Sequence, residues 1–216
     1  YLNSLTDPRV RIVTLPSWAG NSGACNAGLA QARAPLVMFL DDDDWLWPNA
    51  LATLAGALDR APRAVAAVGA RQDWFTGEDY QRRDAHPRLP RTLMAFDALL
   101  FGWSAVSGQV VYRTELLRQL GGFHLGLQRC QDRELWQRVA RRGPILVRPE
   151  ITMTYRWHTG QSQLLEIRAL REQVARSAIR SLPRADRRRA LRIRKSTGWF
   201  DASQDAIGDG RYGDAV

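Results

Sequence analysis

Several things are scarce in this chain. It has two cysteines in 216 residues, Cys25 and Cys130, with no metal-ligand spacing and no framework of disulfides between them. Its three histidines, His86, His124 and His158, are scattered, and nothing has zinc-site spacing. No apolar run approaches the roughly 20 residues that span a bilayer, and no signal-peptide pattern opens the chain. A Gly-rich phosphate cradle and a nucleophile elbow are both missing. These absences argue against a cysteine-rich secreted module, a membrane-spanning protein and a serine hydrolase of the elbow type.

A charge excess is also lacking over most of the length. The formal net charge is +9, from 31 basic and 22 acidic residues. Arg168 to Lys195 alone holds ten Arg and one Lys against Glu172 and Asp186, which is also +9. The remainder is neutral, with 20 residues of each sign, so the high pI says nothing about what the main body binds.

What is present is ordinary globular composition, 45% hydrophobic and 25% charged, long enough for one α/β domain and a short appendage. Arg9 to Leu15 alternates charged and β-branched residues and predicts a short strand closed by Pro16. Ala24 to Arg33 predicts a helix stopped by Pro35. Leu36-Val37-Met38-Phe39-Leu40 and Ala64 to Ala70 read as strands buried on both faces. A helix follows Pro48 to about Arg60. Residues 71–104 read as a long aromatic and basic loop with a helix near Leu93 to Phe101. A strand is expected at Gln109 to Tyr112, then a helix at Thr114 to Leu120 ended by Gly121-Gly122. Another helix is expected at Asp132 to Arg141, a strand at Ile145 to Val147 and an extended piece at Thr152 to Trp157. From Leu164 the pattern is helical and Arg-rich. The expected fold is α/β, a Rossmann-like mixed, mainly parallel sheet flanked by helices, spanning 1–163, with a basic helical tail at 164–216.

Two constellations stand out. Phe39-Leu40-Asp41-Asp42-Asp43-Asp44 runs a buried strand straight into carboxylates, at the sheet end where open α/β folds bind ligands. Crowding carboxylates there is costly unless a cation sits among them, and oxygen ligands suit Mg²⁺ or Mn²⁺ completed by substrate phosphates. A solvated acidic loop capping the next helix explains one or two of the aspartates, but not four. In Gln131-Asp132-Arg133-Glu134-Leu135-Trp136, Asp132 can project from the first turn of a helix as a general base, or serve as a plain helix cap. Spacing alone does not separate these two. His158, in Tyr155-Arg156-Trp157-His158, supports little by itself.

In order along the chain, these segments resemble glycosyltransferase family 2, inverting enzymes with the A-type nucleotide-diphospho-sugar fold. The carrying residues are Arg9-Val10-Arg11, Gly20, Ala24 to Leu29 and Ala32, then Leu40 to Asp44 with Trp45 and Pro48. They continue with Gly121-Gly122-Phe123 and Asp132-x-Glu134-Leu135-Trp136-x-Arg138. The resemblance runs from about Arg9 to Ser162. It implies Asp132 as the catalytic base, with Glu134 orienting the acceptor or Arg138. It implies donor contacts from Asp41, Asp42, Asn26 and Arg138, and a divalent metal, Mn²⁺ or Mg²⁺, held by Asp43, Asp41 and His158. A UDP-sugar is the implied donor, and a glycan or lipid-linked hydroxyl the implied acceptor, in envelope polysaccharide or glycoconjugate synthesis. Residues 71–104 are expected on the acceptor side or in plain packing.

Gln131 and Cys25 depart from the family pattern, which often has Glu and Arg there. The family's first βαβ portion, on the order of 30 residues, has no counterpart ahead of Tyr1. The chain therefore reads as a fragment with an incomplete donor pocket. A cytoplasmic location is expected, with Arg168 to Lys195 touching an anionic membrane from its inner face rather than a nucleic acid. Gly210-Arg211-Tyr212 and Ala215 loosely resemble a tetratricopeptide-type turn. A sugar-nucleotide nucleotidyltransferase and a non-catalytic, degenerate binding module remain as alternatives.

Overall fold

The computed structural model describes residues 4–75, 81–84, 91–93, 105–127, 129–157, 164–192 and 194. In chain order these form α1 (Gly20–Gln31), β1 (Leu36–Val37), β2 (Trp45–Leu46), α2 (Ala50–Asp59), β3 (Ala66–Phe75), β4 (Gln81–Asp84) and β5 (Thr92–Leu93). A single 3₁₀ turn, Ser107–Gln109, leads into β6 (Val110–Arg113) and α3 (Thr114–Gln119). The chain continues through α4 (Gln131–Ala140), β7 (Ile145–Trp157) and α5 (Leu164–Arg180), and residues 184–192 are helical again.

The sheet runs β1-β6-β3-β7-β2, with β4 beside β3 and β5 beside β7. It is mixed, as expected, but its parallel pairing among the described strands is confined to β3 with β7. The other pairings are antiparallel. Within the apolar run 36–40 only Leu36–Val37 pairs, with β6, and the run is half-buried to exposed. Its side chains still alternate: Val37 and Phe39 pack toward one core cluster, Leu36 and Met38 toward the other. A strand with a single described neighbour keeps the two-residue period and loses the double burial. Arg9 to Leu15 is not a strand. It has no partner ladder, and Val10, Ile12 and Val13 are exposed.

β3 sits at the centre, and its small residues explain why. Ala66 and Val68 face Leu117, Phe123, Leu135, Trp136 and Val139 on one side. Ala67 faces Leu54, Ala57 and Leu58 of α2 on the other. Helices on both faces leave no room for alternating polar residues, so the strand reads as one apolar run. Each fully buried Leu contributes about 1.5–3 kcal/mol.

The two extended pieces expected at 145–147 and 152–157 are one strand. The register slips between Val68 and Ala70 on β3, where Arg148-Pro149-Glu150 bulges from β7. Pro149 has no N–H to donate, so the ladder breaks there and resumes at Ile151. Gly69 is needed at that step, because a Cβ would lie 2.1 Å from Thr152 Oγ1. β3 likewise continues to Phe75, past the point where a loop is expected. Leu93, where a helix is expected to begin, is instead in β5 opposite Ile145; residues 94–101 of that helix and the turn at 210–215 lie outside the described residues.

α5 is packed along α4 and is not a free appendage. Arg141, just past α4, donates to the Ala178 carbonyl at 2.7 Å. Ala178, Ile179, Leu182 and Ala190 then close α5 onto the 184–192 helix. No described helix is long and apolar enough to cross a membrane.

Candidate active site

The four aspartates do not lie along a strand. The Asp44 amide donates to the Asp41 carbonyl at 3.2 Å, which bends 41–44 into a tight turn. The turn leaves Asp42 exposed and makes Asp41 and Asp43 half-buried and Asp44 buried. Asp41, Asp43 and Asp44 each offer a carboxylate oxygen, and these atoms lie within 4.8 Å of one another. Asp44 thus stands with Asp41 and Asp43, the two aspartates expected to hold a metal, in a cluster that could hold one.

Asp44 is anchored from the end of β7, since its Oδ1 accepts the Arg156 amide at 2.9 Å. Its carboxyl is pushed up to about 7, by burial first and also by Asp43 and Asp41, against the Arg156 amide and the Arg71 guanidinium. Asp41 is also raised, first by burial and then by the charges of Asp43, Asp132 and Asp42, with the Asn21 amide opposing. Asn21 in turn accepts the Cys25 thiol at 3.0 Å. Burial and the nearby Asp41 carboxylate push that thiol up to about 11, so Cys25 stays protonated.

Asp132 lies in the first turn of α4, half-buried, with Oδ1 accepting the Arg133 amide at 2.7 Å. Burial raises its carboxyl, while Arg133 and Arg171 oppose the rise. Asp132 acts directly on Asp41. Tyr155, on β7, stands within the field of both groups. Burial pushes its phenol up to about 12, Arg71 opposes, and Asp44, Asp132 and Asp41 add to the push. The Arg71 guanidinium also sits 5.1 Å from the centre of the Tyr155 ring and pairs with Asp73 at 2.9 Å. Two constellations about ninety residues apart in sequence therefore meet at one end of the sheet.

Other expected site residues hold the wall of this site. Arg138 forms a bidentate pair with Glu134, Nε to Oε1 and Nη2 to Oε2, both at 2.7 Å. The same guanidinium donates to the carbonyls of Leu120 at 2.8 Å and Gly122 at 2.7 Å. Asn26 clamps the far side of that turn: Nδ2 donates to the Phe123 carbonyl at 2.9 Å and Oδ1 accepts the Phe123 amide at 2.7 Å. Gly121 and Gly122 have φ of +78° and +68°, which L side chains rarely adopt. A Cβ on Gly122 would stand 2.2 Å from Asn26 Oδ1. Glu134 thus pairs with Arg138, and the Gly-Gly-Phe turn joins α1 to α4.

His158 lies outside the described residues. Asp44, Asn21, Tyr155 and Arg171 are neighbours of the site that sequence reading did not assign. Asp44 was within reach, being part of the acidic run. Tyr155 stands in the short run singled out for its histidine. Asn21 and Arg171 carry no sequence signal of their own.

The donor set consists of carboxylate oxygens alone, and proximity and burial raise two of the three acids. That is an arrangement a hard divalent cation relieves, so the residues fit such a metal.

A sheet layered between helices, with an acid cluster at its ligand end, is the A-type glycosyltransferase architecture, and solved structures agree. The structure of S. aureus TarS 1–349 in complex with UDP-GlcNAc superposes with a TM-score of 0.64 at 16% identity, covering 88% of this chain and 56% of that one. The same protein with UDP gives 0.59 at 16% identity, over 80% of this chain and 49% of that one. The profile of glycosyl transferase family 2 matches residues 1–121, and the chain belongs to that family. Among relatives, the O-antigen biosynthesis protein RfbC of Myxococcus xanthus is 30% identical over 135 residues, 62% of this chain and 10% of that protein. The succinoglycan biosynthesis protein ExoO of Rhizobium meliloti is 36% identical over 63 residues, 29% of this chain and 18% of that protein. An uncharacterized protein of Sinorhizobium fredii, y4gI, is 32% identical over 143 residues, 63% of this chain and 14% of that protein. The chain spans 14% or less of the length of the two longest matches among these relatives.

Proposed function

We propose that this chain is the catalytic portion of an inverting enzyme that transfers a sugar from a nucleotide diphosphate to an acceptor hydroxyl. The observation that carries the reading is the electrostatic meeting of Asp132 with the Asp41–Asp44 turn. A base and a diphosphate-handling acid cluster must face the same anomeric carbon for a single displacement. TarS is solved with UDP-GlcNAc and with UDP, which supports a UDP-sugar donor. The names of RfbC and ExoO support a glycan or lipid-linked acceptor in polysaccharide synthesis.

In this mechanism Asp132 takes the proton of the acceptor hydroxyl as its oxygen attacks the anomeric carbon opposite the leaving diphosphate. The new C–O bond forms as the bond to the diphosphate breaks, and the configuration inverts. Asp41, Asp43 and Asp44 would hold Mn²⁺ or Mg²⁺, which supplies charge neutralisation for the diphosphate when bound. Arg133 and Arg171 lower the Asp132 carboxyl against the rise from burial, which favours the ionised base. Burial and the nearby acids keep Tyr155 a neutral phenol. Arg184, Arg188 and Arg192 are exposed and four residues apart in sequence. Their spacing supports a peripheral contact with an anionic membrane on the cytoplasmic side.

The test is Asp132→Asn in the complete protein, assayed with Mn²⁺ and a panel of UDP-sugars. Donor and metal binding should persist while transfer falls by two or more orders of magnitude, in the range of about 10²–10⁴ for a lost general base. Transfer at the wild-type rate in that variant would remove the assignment.

A further inference from the structure

On β3 the apolar run ends at Ala70, and charged residues follow on the same central strand. Arg71 and Asp73 are two residues apart in the strand and so project to one face. Arg71 Nε stands 2.9 Å from Asp73 Oδ1, with the two side chains 18% and 8% exposed. An ion pair this far out of water costs desolvation energy that its attraction seldom recovers, so stability alone does not explain it. Tyr155 lies opposite Asp73 in the β3–β7 ladder, and the Arg71 guanidinium sits over its ring, 5.1 Å from the centre. The residues of opposite parity are occupied on the other face. Trp74 meets Trp45 edge to face with ring centres 5.1 Å apart, and Thr154 Oγ1 accepts Trp47 Nε1 at 3.0 Å. The residue after Tyr155 anchors the acid turn, since the Arg156 amide donates to Asp44 Oδ1 at 2.9 Å. The Tyr155 ring thus carries the guanidinium to the acid turn, where its charge acts on Asp44.

We propose that Arg71 is a substrate-binding residue of the transfer site, donating hydrogen bonds to the phosphoryl oxygens of the donor's diphosphate. The proposal rests on the reading of the donor as a nucleotide-diphospho-sugar. Charge complementarity carries it. Three carboxylates around one divalent cation leave a net negative charge, and the diphosphate of a nucleotide sugar adds about two more. The cation alone therefore does not neutralise the leaving group, and a further positive group is needed beside the acid turn. A guanidinium stays charged at any working pH, and its forked N–H groups match phosphoryl oxygens. Asp73 holds this one by Nε and Tyr155 supports its plane, so its orientation is set before the donor arrives. A cation fixed in that way stabilises the charge that builds on the diphosphate as the bond to the sugar breaks, at no cost of reorganisation. Asp73 also keeps the guanidinium from standing as a lone buried charge when the site is empty.

The test is calorimetric titration of the complete protein with Mn²⁺–UDP, Mn²⁺–pyrophosphate and uridine, in wild type, Arg71→Met and Arg71→Lys. Losing a hydrogen bond between charged groups should weaken both diphosphates by about 10- to 100-fold in Arg71→Met. Uridine, which has no phosphate, should bind all three proteins alike. Arg71→Lys keeps the charge and loses the fork, so its affinity for the diphosphates should fall between the other two. A merely structural role would weaken uridine along with the diphosphates. Equal weakening of uridine, or a wild-type Kd for Mn²⁺–UDP in a folded Arg71→Met, overturns the proposal. If Arg71→Met leaves Asp73 unpaired and does not fold, a wild-type Kd for Mn²⁺–UDP in Arg71→Lys overturns it. Wild type that binds no Mn²⁺–UDP would instead fail the donor reading, and the proposal with it.

Discussion

Removing one carboxylate from the acid turn should make the protein more stable, and the effect should appear only above a defined pH. Asp44 titrates near 7 in the folded chain against an ordinary value of 3.8. Between those values the native state holds a proton that the unfolded chain has already lost. Stability therefore falls as pH rises across that window, and it is recovered below it. Taken at face value the displacement corresponds to about 4 kcal/mol at 1.36 kcal/mol per unit. The carboxyl retains access to solvent, so screening reduces the effect to about 1–2 kcal/mol. Asp44→Asn keeps the oxygen that accepts the Arg156 amide and removes the charge. Urea unfolding in EDTA from pH 4 to pH 8 should show wild type losing stability with a steeper slope than the variant. The variant should lead by about 1–2 kcal/mol above pH 7, with the curves converging near pH 4. Mn²⁺ should then stabilise wild type above pH 7 far more than it stabilises Asp44→Asn. Parallel pH profiles in EDTA would refute the crowding argument, and equal stabilisation by Mn²⁺ would remove Asp44 from the metal set.

The wall of the site makes two further predictions. Asn26→Ala leaves the amide and carbonyl of Phe123 without their partner and should cost about 1–3 kcal/mol in urea unfolding. Asn26→Asp, which can still accept but not donate, should fall between the two. Arg138→Met strands Glu134 and two turn carbonyls and should cost about 2–4 kcal/mol. A loss of donor affinity in Arg138→Met at unchanged stability would return Arg138 to the donor pocket.

The legible part of the fold was the part that obeys a period. Ala64 to Ala70 reads as a doubly covered strand because helices really do lie on both faces of β3. The stretch from Thr114 through the Gly-Gly pair reads as a helix with a left-handed stop because only glycine tolerates those φ values at no cost. What misled was pattern without a partner. Arg9 to Leu15 has strand composition, but a ladder needs a second strand, and no described strand lies beside it. The continuity of β7 was hidden for the opposite reason. Pro149 looks like a terminator, yet one bulge against Gly69 absorbs it and the strand runs on for thirteen residues.

The site divides along the same line. A cluster adjacent in sequence can be found by inspection, which is how Asp41 to Asp44 was recognised. The choice among its members depends on which way a turn faces, and a hydrogen bond from Asp44 to the Asp41 carbonyl decides that. Roles that depend on partners far away in sequence are harder to read. Glu134 and Arg138 carry charges in the motif that holds Asp132, and Asn26 carries an amide on α1. Yet Glu134 bonds to Arg138, Arg138 donates on to the Leu120 and Gly122 carbonyls, and Asn26 clasps Phe123. Two polar side chains spent on one glycine turn, with Glu134 bracing one of them, are explained by what the turn does: it locks α1 to α4, which carries Asp132. In the proposed reaction a displacement at a single carbon needs the acid turn and Asp132 held at a fixed separation, which is what a stiff wall would supply.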